Sequence, residues 1–227
     1  MTESTITADT PDVGILGGTG NLGAALAQRW SSAGLRVVIG SRDPERAVTR
    51  AAELRQDLPA EAGSLTGGSN ADAATAPVVV AAIPTEGAGE LVAPLSEQLA
   101  GGVLVSTLSP LEFDADGPRP GRVEAGSAAE LLAAAAPSAR VVAGFHTVSA
   151  VTLADLGRAL DEDVLLCGDD EDALAEVAAL VDDHLEGARA VVVGPLRLAV
   201  ALEASTAVLI STNRRHRAHA GLRVTGL

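Results

Sequence analysis

The feature that constrains this chain most is the run Gly18-Thr19-Gly20-Asn21-Leu22-Gly23, a G-x-G-x-x-G spacing set between two different periodicities. Before it, residues 13–16 form a short continuous apolar run of strand length. After it, Leu22, Ala25, Leu26, Arg29 and Trp30 recur at spacings of three and four, a helical stripe that Gly34 stops. A second apolar run, RVVIG at 36–40, comes next. Strand, glycine turn, helix and strand in that order open a dinucleotide-binding βαβ unit. There the first glycine permits the tight turn, the second lets a pyrophosphate reach the backbone, and the third lets helix and strand pack closely. Free amides at the helix start stabilise the anion, aided by the helix dipole. In a chain with 24 glycines the spacing alone says little; the context makes it specific. The bland alternative is a glycine-rich turn that binds nothing.

The alternation continues along the chain. Asp43-Pro44 opens a helix to about residue 55, with Pro44 suited to its first turn. Strands are expected at 64–66, at 77–83 up to Pro84, at 103–106 and at 140–145, with helices near 89–98 and over 127–136. Residues 111–125, rich in proline, glycine and acids, are expected to be a surface loop. Beyond His146 the pattern gives strands at 164–167 and 190–193 and helices over 170–185 and 196–213. Near-continuous apolar strands alternating with helices predict an α/β fold: a doubly wound, mostly parallel sheet with both faces covered. The division expected is a Rossmann domain over 11–147 and a small C-terminal α/β extension over 148–227.

Composition then removes chemistries. All 16 basic residues are arginine, so no lysine serves as base, Schiff base or P-loop cation. There is no tyrosine, which removes a tyrosine–lysine catalytic pair. One cysteine, Cys167, excludes an internal disulfide framework and a multi-cysteine zinc site, and in an apolar strand it reads as inert packing. No metal site is expected: Asp169-Asp170 reads as a helix cap and Asp182-Asp183 as a solvated face. A formal charge of −14 argues against nonspecific binding to nucleic acid or to an anionic membrane. The polar first ten residues lack a targeting pattern, and no apolar run reaches the roughly 20 residues that span a bilayer. A cytoplasmic protein is expected.

The end of the second strand chooses the nucleotide. An NAD site places Asp or Glu there for the ribose 2′-hydroxyl. This chain has Ser41-Arg42, with Arg46 one helical turn on. A carboxylate would repel a 2′-phosphate, whereas a hydroxyl and two guanidinium groups would hold it through charge-assisted bonds.

Read in order, GILGGTGNLGAALAQRW, VVIGSRDPERA, AAIP, GFHTVSA, LLCGDDED and VGPLRLAVALE resemble the NADPH-dependent reductases of the deazaflavin coenzyme F420, over nearly the whole chain. That resemblance implies NADP(H) and coenzyme F420 as cofactors, a homodimer, and a deazaflavin lying between the two parts of the chain against the nicotinamide. By motif match, Thr19, Gly20, Asn21 and Leu22 would wrap the pyrophosphate, with Gly18 and Gly23 framing the turn, and Ser41, Arg42 and Arg46 would hold the 2′-phosphate. Thr85 and Gly89 would line the cofactor pocket, His146 and Ala150 would lie beside nicotinamide and deazaflavin, and Leu222 would contact the deazaflavin. The chain departs from the family at Thr85, where a bulky aromatic is usual, and over 111–125.

Hydride transfer between two cofactors asks mainly for orientation and exclusion of water. Of four histidines, only His146 ends an apolar strand at the sheet edge where ligands bind. It is the candidate catalytic residue, stabilising charge on the reduced deazaflavin; the alternative is a strand-end histidine bonded to backbone. The tail arginines 214, 215, 217 and 223 either meet the anionic arm of the deazaflavin or complement a helix C-terminus. The function expected is NADPH:coenzyme F420 oxidoreductase. The alternatives are NADPH-dependent reduction of a flavin, an imine or a ferric complex, and a non-catalytic NADP-binding protein.

Overall fold

The computed structural model describes residues 10–227; nine of the ten polar N-terminal residues lie outside the described residues. The first half is built from β1 (Val13–Leu16), α1 (Asn21–Ser32), β2 (Val37–Ser41), α2 (Pro44–Leu54), β3 (Leu65–Ser69), α3 (Asn70–Ala73), β4 (Val78–Ala81), α4 (Ala88–Val92) and β5 (Val103–Ser106). A hairpin of β6 (Leu111–Asp114) and β7 (Gly117–Pro120) follows. The rest comprises α5 (Ala128–Ala135), β8 (Arg140–Ala143), α6 (Ala150–Ala154), β9 (Glu162–Gly168), α7 (Glu171–Asp182), β10 (Ala188–Gly194) and α8 (Ala199–His216).

Eight strands form one sheet in the order β10-β9-β8-β5-β4-β1-β2-β3. All neighbours are parallel except β8 and β9, which pair antiparallel through Val142↔Gly168 and Ala143↔Cys167. Successive strand residues feed opposite faces: Val13 and Ile15 pack with α1, α2, α6 and α7, whereas Leu16, Val79 and Ala81 pack with α3, α4, α5 and α8. That double burial is why the strands read as unbroken apolar runs. Because β9 runs against β8, its first residues project past the C-terminal end of β8, on the edge where the glycine turn lies.

Two expectations need correcting. Residues 111–125 are not a loop throughout: Leu111 pairs with Pro120 and Phe113 with Pro118 in an antiparallel hairpin. The two prolines are spaced by two, so both missing donors fall on the side of β7 facing away from β6, where no ladder bond is lost. The strand expected to reach Phe145 stops at Ala143, because Phe145 adopts φ 68°. The left-handed conformation costs a non-glycine residue free energy, and burial secures it here: the Phe145 ring meets Trp30 edge-on at 5.9 Å. Both short helices α3 and α6 escape the apolar periodicity.

Arg29 explains its own place in an apolar stripe. It is buried, and its guanidinium donates to the carbonyls of Leu153 (2.7 Å), Thr152 (3.1 Å), Asp155 (2.5 Å) and Arg158 (2.7 Å). A cation thus satisfies the orphan carbonyls of α6 and fixes the chain between β8 and β9 against α1. At the start of β9, Asp163 is fully buried and accepts from Arg189 (3.0 and 2.7 Å), Arg223 (3.3 Å) and the Val224 amide (2.7 Å). The C-terminal tail is therefore tied to β9.

Next to it, Glu162 is 3% exposed and its Oε2 has no hydrogen-bond partner among the described residues. Burial pushes its carboxyl up to about 7, with Arg158 opposing the shift and Asp161 adding to it. The folded state then binds this proton more tightly than the unfolded state, so the group stabilises fully below about 4.5 and the benefit disappears as pH rises through 7. Glu162→Gln is expected to raise the melting temperature by roughly 2–6 °C at pH 8 and to leave it nearly unchanged at pH 5. Equal effects at both pH values in thermal denaturation would contradict this.

Candidate functional site

The site begins at the turn between β1 and α1. Gly17 takes φ 68°, a conformation that reverses the chain and that side chains disfavour. A Cβ on Gly23 would come within 2.8 Å of the Gly18 Cα, so the helix packs directly on the turn. Gly20 differs: a Cβ there would meet only the Gly17 carbonyl, at 3.5 Å. Nothing else among the described residues crowds position 20, which leaves space on the open side for a ligand to approach the backbone.

Two amides of the run are already used. Gly18 N–H donates to the Gly40 carbonyl (3.0 Å) and Gly20 N–H to Gly17 (3.1 Å). Gly20 is the residue preceding α1, and no side chain caps the helix. The amides of Asn21, Leu22 and Gly23 thus lack intrahelical partners by position, and they carry the positive end of the helix dipole. An anion fits there.

This turn forms one wall of a groove of about 750 Å³. Thr19, Gly20, Ser41, Arg42 and Arg46 line it together, opposite Ile83, Pro84 and Glu86. Ser41 is buried at the end of β2, and its hydroxyl accepts the Asp43 N–H (3.1 Å). The Asp43 carboxylate is occupied as the cap of α2, accepting the Arg46 amide (3.3 Å). The guanidinium groups of Arg42 and Arg46 are exposed and make no ion pair or hydrogen bond among the described residues. Two free cations beside a hydroxyl, with the nearest carboxylate engaged, suit a phosphate.

Asn70 was not read from the sequence. Its Oδ1 accepts the Gly17 amide (3.2 Å), which ties the turn to α3. The readable signal was Ser69-Asn70-Ala71-Asp72, a capping box formed by Ser69 and Asp72.

A second cavity of about 440 Å³ adjoins the groove, and the two share Pro84 and Glu86. Thr85 lines it, with Ser109 after β5 and Phe113 of the hairpin. Ser109 Oγ lies 2.8 Å from Thr206 Oγ1 of α8, which donates to the His146 carbonyl (2.9 Å). His146 is 7% exposed, and neither ring nitrogen makes a well-formed hydrogen bond among the described residues. Burial pushes the imidazole down to about 4, against a smaller opposing effect of the Leu108 backbone. The ring is neutral near pH 7.

Gly89, Ala150 and Leu222 line neither cavity. Gly89 faces Leu131 of α5, Ala150 opens α6 behind its cap Ser149, and the Leu222 carbonyl accepts the Asp163 amide (2.7 Å). Arg223 is held by Asp161 and Asp163, whereas Arg214 and Arg215 lie in the last turn of α8. Asp170 caps α7, Asp169 accepts the Leu196 amide (2.9 Å), and Asp182 accepts the Ala190 amide (2.7 Å). Burial pushes the Cys167 thiol up to about 12, so it stays protonated. No group of three or more potential ligands that could hold a metal occurs among the described residues.

Residues 12–110 match the family model described as NADP oxidoreductase, coenzyme F420-dependent. The F420-dependent NADP reductase of Methanothermobacter thermautotrophicus is 35% identical over 221 residues, covering 95% of each chain. The chain belongs to the F420-dependent NADP reductases. A second family member, from Methanocaldococcus jannaschii, is 34% identical over 222 residues, covering 95% of this chain and 98% of that one. A crystal structure from Arthrobacter sp. FB24 described as an F420-dependent NADP reductase superposes with a TM-score of 0.79 at 30% identity, covering 95% of this chain and all of that one. Family membership and the groove agree on a nucleotide ending in phosphate.

Arg42→Glu replaces an attraction with a repulsion at the end of β2. Titration is expected to show the Kd for NADPH rising by roughly a hundredfold, with little change for NADH. Equal losses for both nucleotides would refute the assignment.

Proposed function

We propose that this chain is an oxidoreductase that transfers hydride between NADPH and oxidised coenzyme F420, an 8-hydroxy-5-deazaflavin, in either direction according to supply. The observation that carries the reading is the uncapped first turn of α1 beside the free Arg42 and Arg46, opening onto a second cavity. The relatives' name supplies the acceptor.

In this reading Thr19, Gly20, Asn21 and Leu22 wrap the diphosphate, the unpartnered first amides of α1 donate to it, and Gly18 and Gly23 frame the turn. Ser41, Arg42 and Arg46 hold the 2′-phosphate. Thr85 stands on the acceptor side; the family resemblance also assigns Gly89, Ala150 and Leu222 to the cofactors, although they line neither cavity. NADPH supplies hydride and the deazaflavin accepts it, with one proton taken from solvent. The protein aligns the two rings and excludes water, which supplies on the order of 7–11 kcal/mol of barrier reduction for a well-held pair. His146, neutral and buried outside both cavities, is the candidate for stabilising charge on the reduced deazaflavin. Segment 148–227 closes the acceptor side as a small domain, and the chain acts as a cytoplasmic homodimer without nucleic-acid or membrane partners. No helix among the described residues is long and apolar enough to cross a membrane.

Mixing protein, NADPH and oxidised F420 is expected to bleach the deazaflavin absorbance with stoichiometric NADPH oxidation. Reduction of riboflavin-type acceptors but not F420 would favour a different reductase. Tight NADPH binding without turnover on any acceptor would favour a non-catalytic role.

A further inference from the structure

The β6–β7 hairpin is built as a wall. Its base is pinned by the Gly121 amide on the Pro110 carbonyl (2.8 Å) and its turn by Asp114, which accepts the Asp116 (2.9 Å) and Gly117 (3.2 Å) amides. Across the strands Arg119 pairs with Glu112 (2.5 Å) and Asp114 (3.4 Å). The tip of β7 rests near Arg214 of α8. Leu111 and Phe113 of β6 line the second cavity together with Thr85.

Phe113 is out of place for a structural residue. The other aromatic side chains, Trp30 and Phe145, are fully buried, whereas Phe113 is 66% exposed at the cavity. Arg122, just after the hairpin, lines the same cavity and has no ion-pair or hydrogen-bond partner among the described residues. Two carboxylates share this rim. Glu112 is neutralised by Arg119, and Glu86 stands where the cavity joins the nucleotide groove. An unburied aromatic face and an unpaired guanidinium on one wall suit a flat heteroaromatic ring that carries an anionic arm.

We infer that the hairpin is the acceptor-binding wall, with Phe113 covering the deazaflavin ring and Arg122 meeting the phosphate of its side arm. The assignment rests on the F420 reading above. It makes Phe113 a determinant of acceptor affinity in general, because aromatic contact recognises any flat ring. It makes Arg122 a determinant of the arm alone, because it acts through charge.

The test is steady-state kinetics with two acceptors, F420 and the arm-less 8-hydroxy-5-deazaflavin, for the parent chain, Phe113→Ala, Phe113→Trp and Arg122→Glu. Both side chains are exposed, so folding is retained, and matching melting temperatures verify it. Phe113→Ala is expected to raise KM about tenfold for both acceptors while the Kd for NADPH holds, and Phe113→Trp to restore KM. Arg122→Glu is expected to raise KM about tenfold or more for F420 only. Unchanged KM in Phe113→Ala and Arg122→Glu, with the parent active on F420, would overturn the inference alone. NADPH affinity falling in step with KM would also overturn it. A parent chain inactive on F420 would overturn the F420 reading and this inference together.

Discussion

An α-helix that begins immediately after a buried parallel strand leaves its first amides over the end of the sheet with nothing to satisfy them. Here Gly17, Gly18 and Gly23 leave no room for side chains, and Gly20 offers no capping group. The electrostatic need of that helix end is the constraint on which the site depends. Other features of the edge follow from it. The chain reverses at Gly17, Asn70 holds the Gly17 amide, and β2 ends in Ser41-Arg42 on the same groove.

The remainder of the chain keeps that edge rigid and extends it. Helices on both faces bury alternate residues of each strand, so the strand ends are fixed by packing. Arg29 turns the back of α1 into a clamp on the segment after α6. The reversed strand β9 carries buried Asp163 past the end of β8, where Arg189 and the C-terminal tail neutralise it. A buried carboxylate with those partners is costly to leave unpaired, which is why the tail docks there.

Much of this was legible from residues alone, because the signals were local. Pro44 after Asp43 marked α2, the apolar runs marked the parallel strands, and the glycine spacing marked the turn into α1. The illegible parts depend on contacts distant in sequence. Phe145 in the left-handed region is tolerable only because Trp30, more than a hundred residues earlier, packs against it. The hairpin of 111–120 was hidden by Pro118 and Pro120, whose missing donors happen to face outward. Asn70 was missed because α3 is a single turn, too short to show a period. Arg29 stood in an apolar stripe without revealing that it caps another helix.

The most direct measurement is the crystal structure of this chain with NADP⁺ bound. The diphosphate is predicted to lie within hydrogen-bond distance, about 2.7–3.2 Å, of the first amides of α1, with the 2′-phosphate beside Arg42 and Arg46. A dinucleotide seated elsewhere, or a groove filled by the protein's own side chains, would contradict the account.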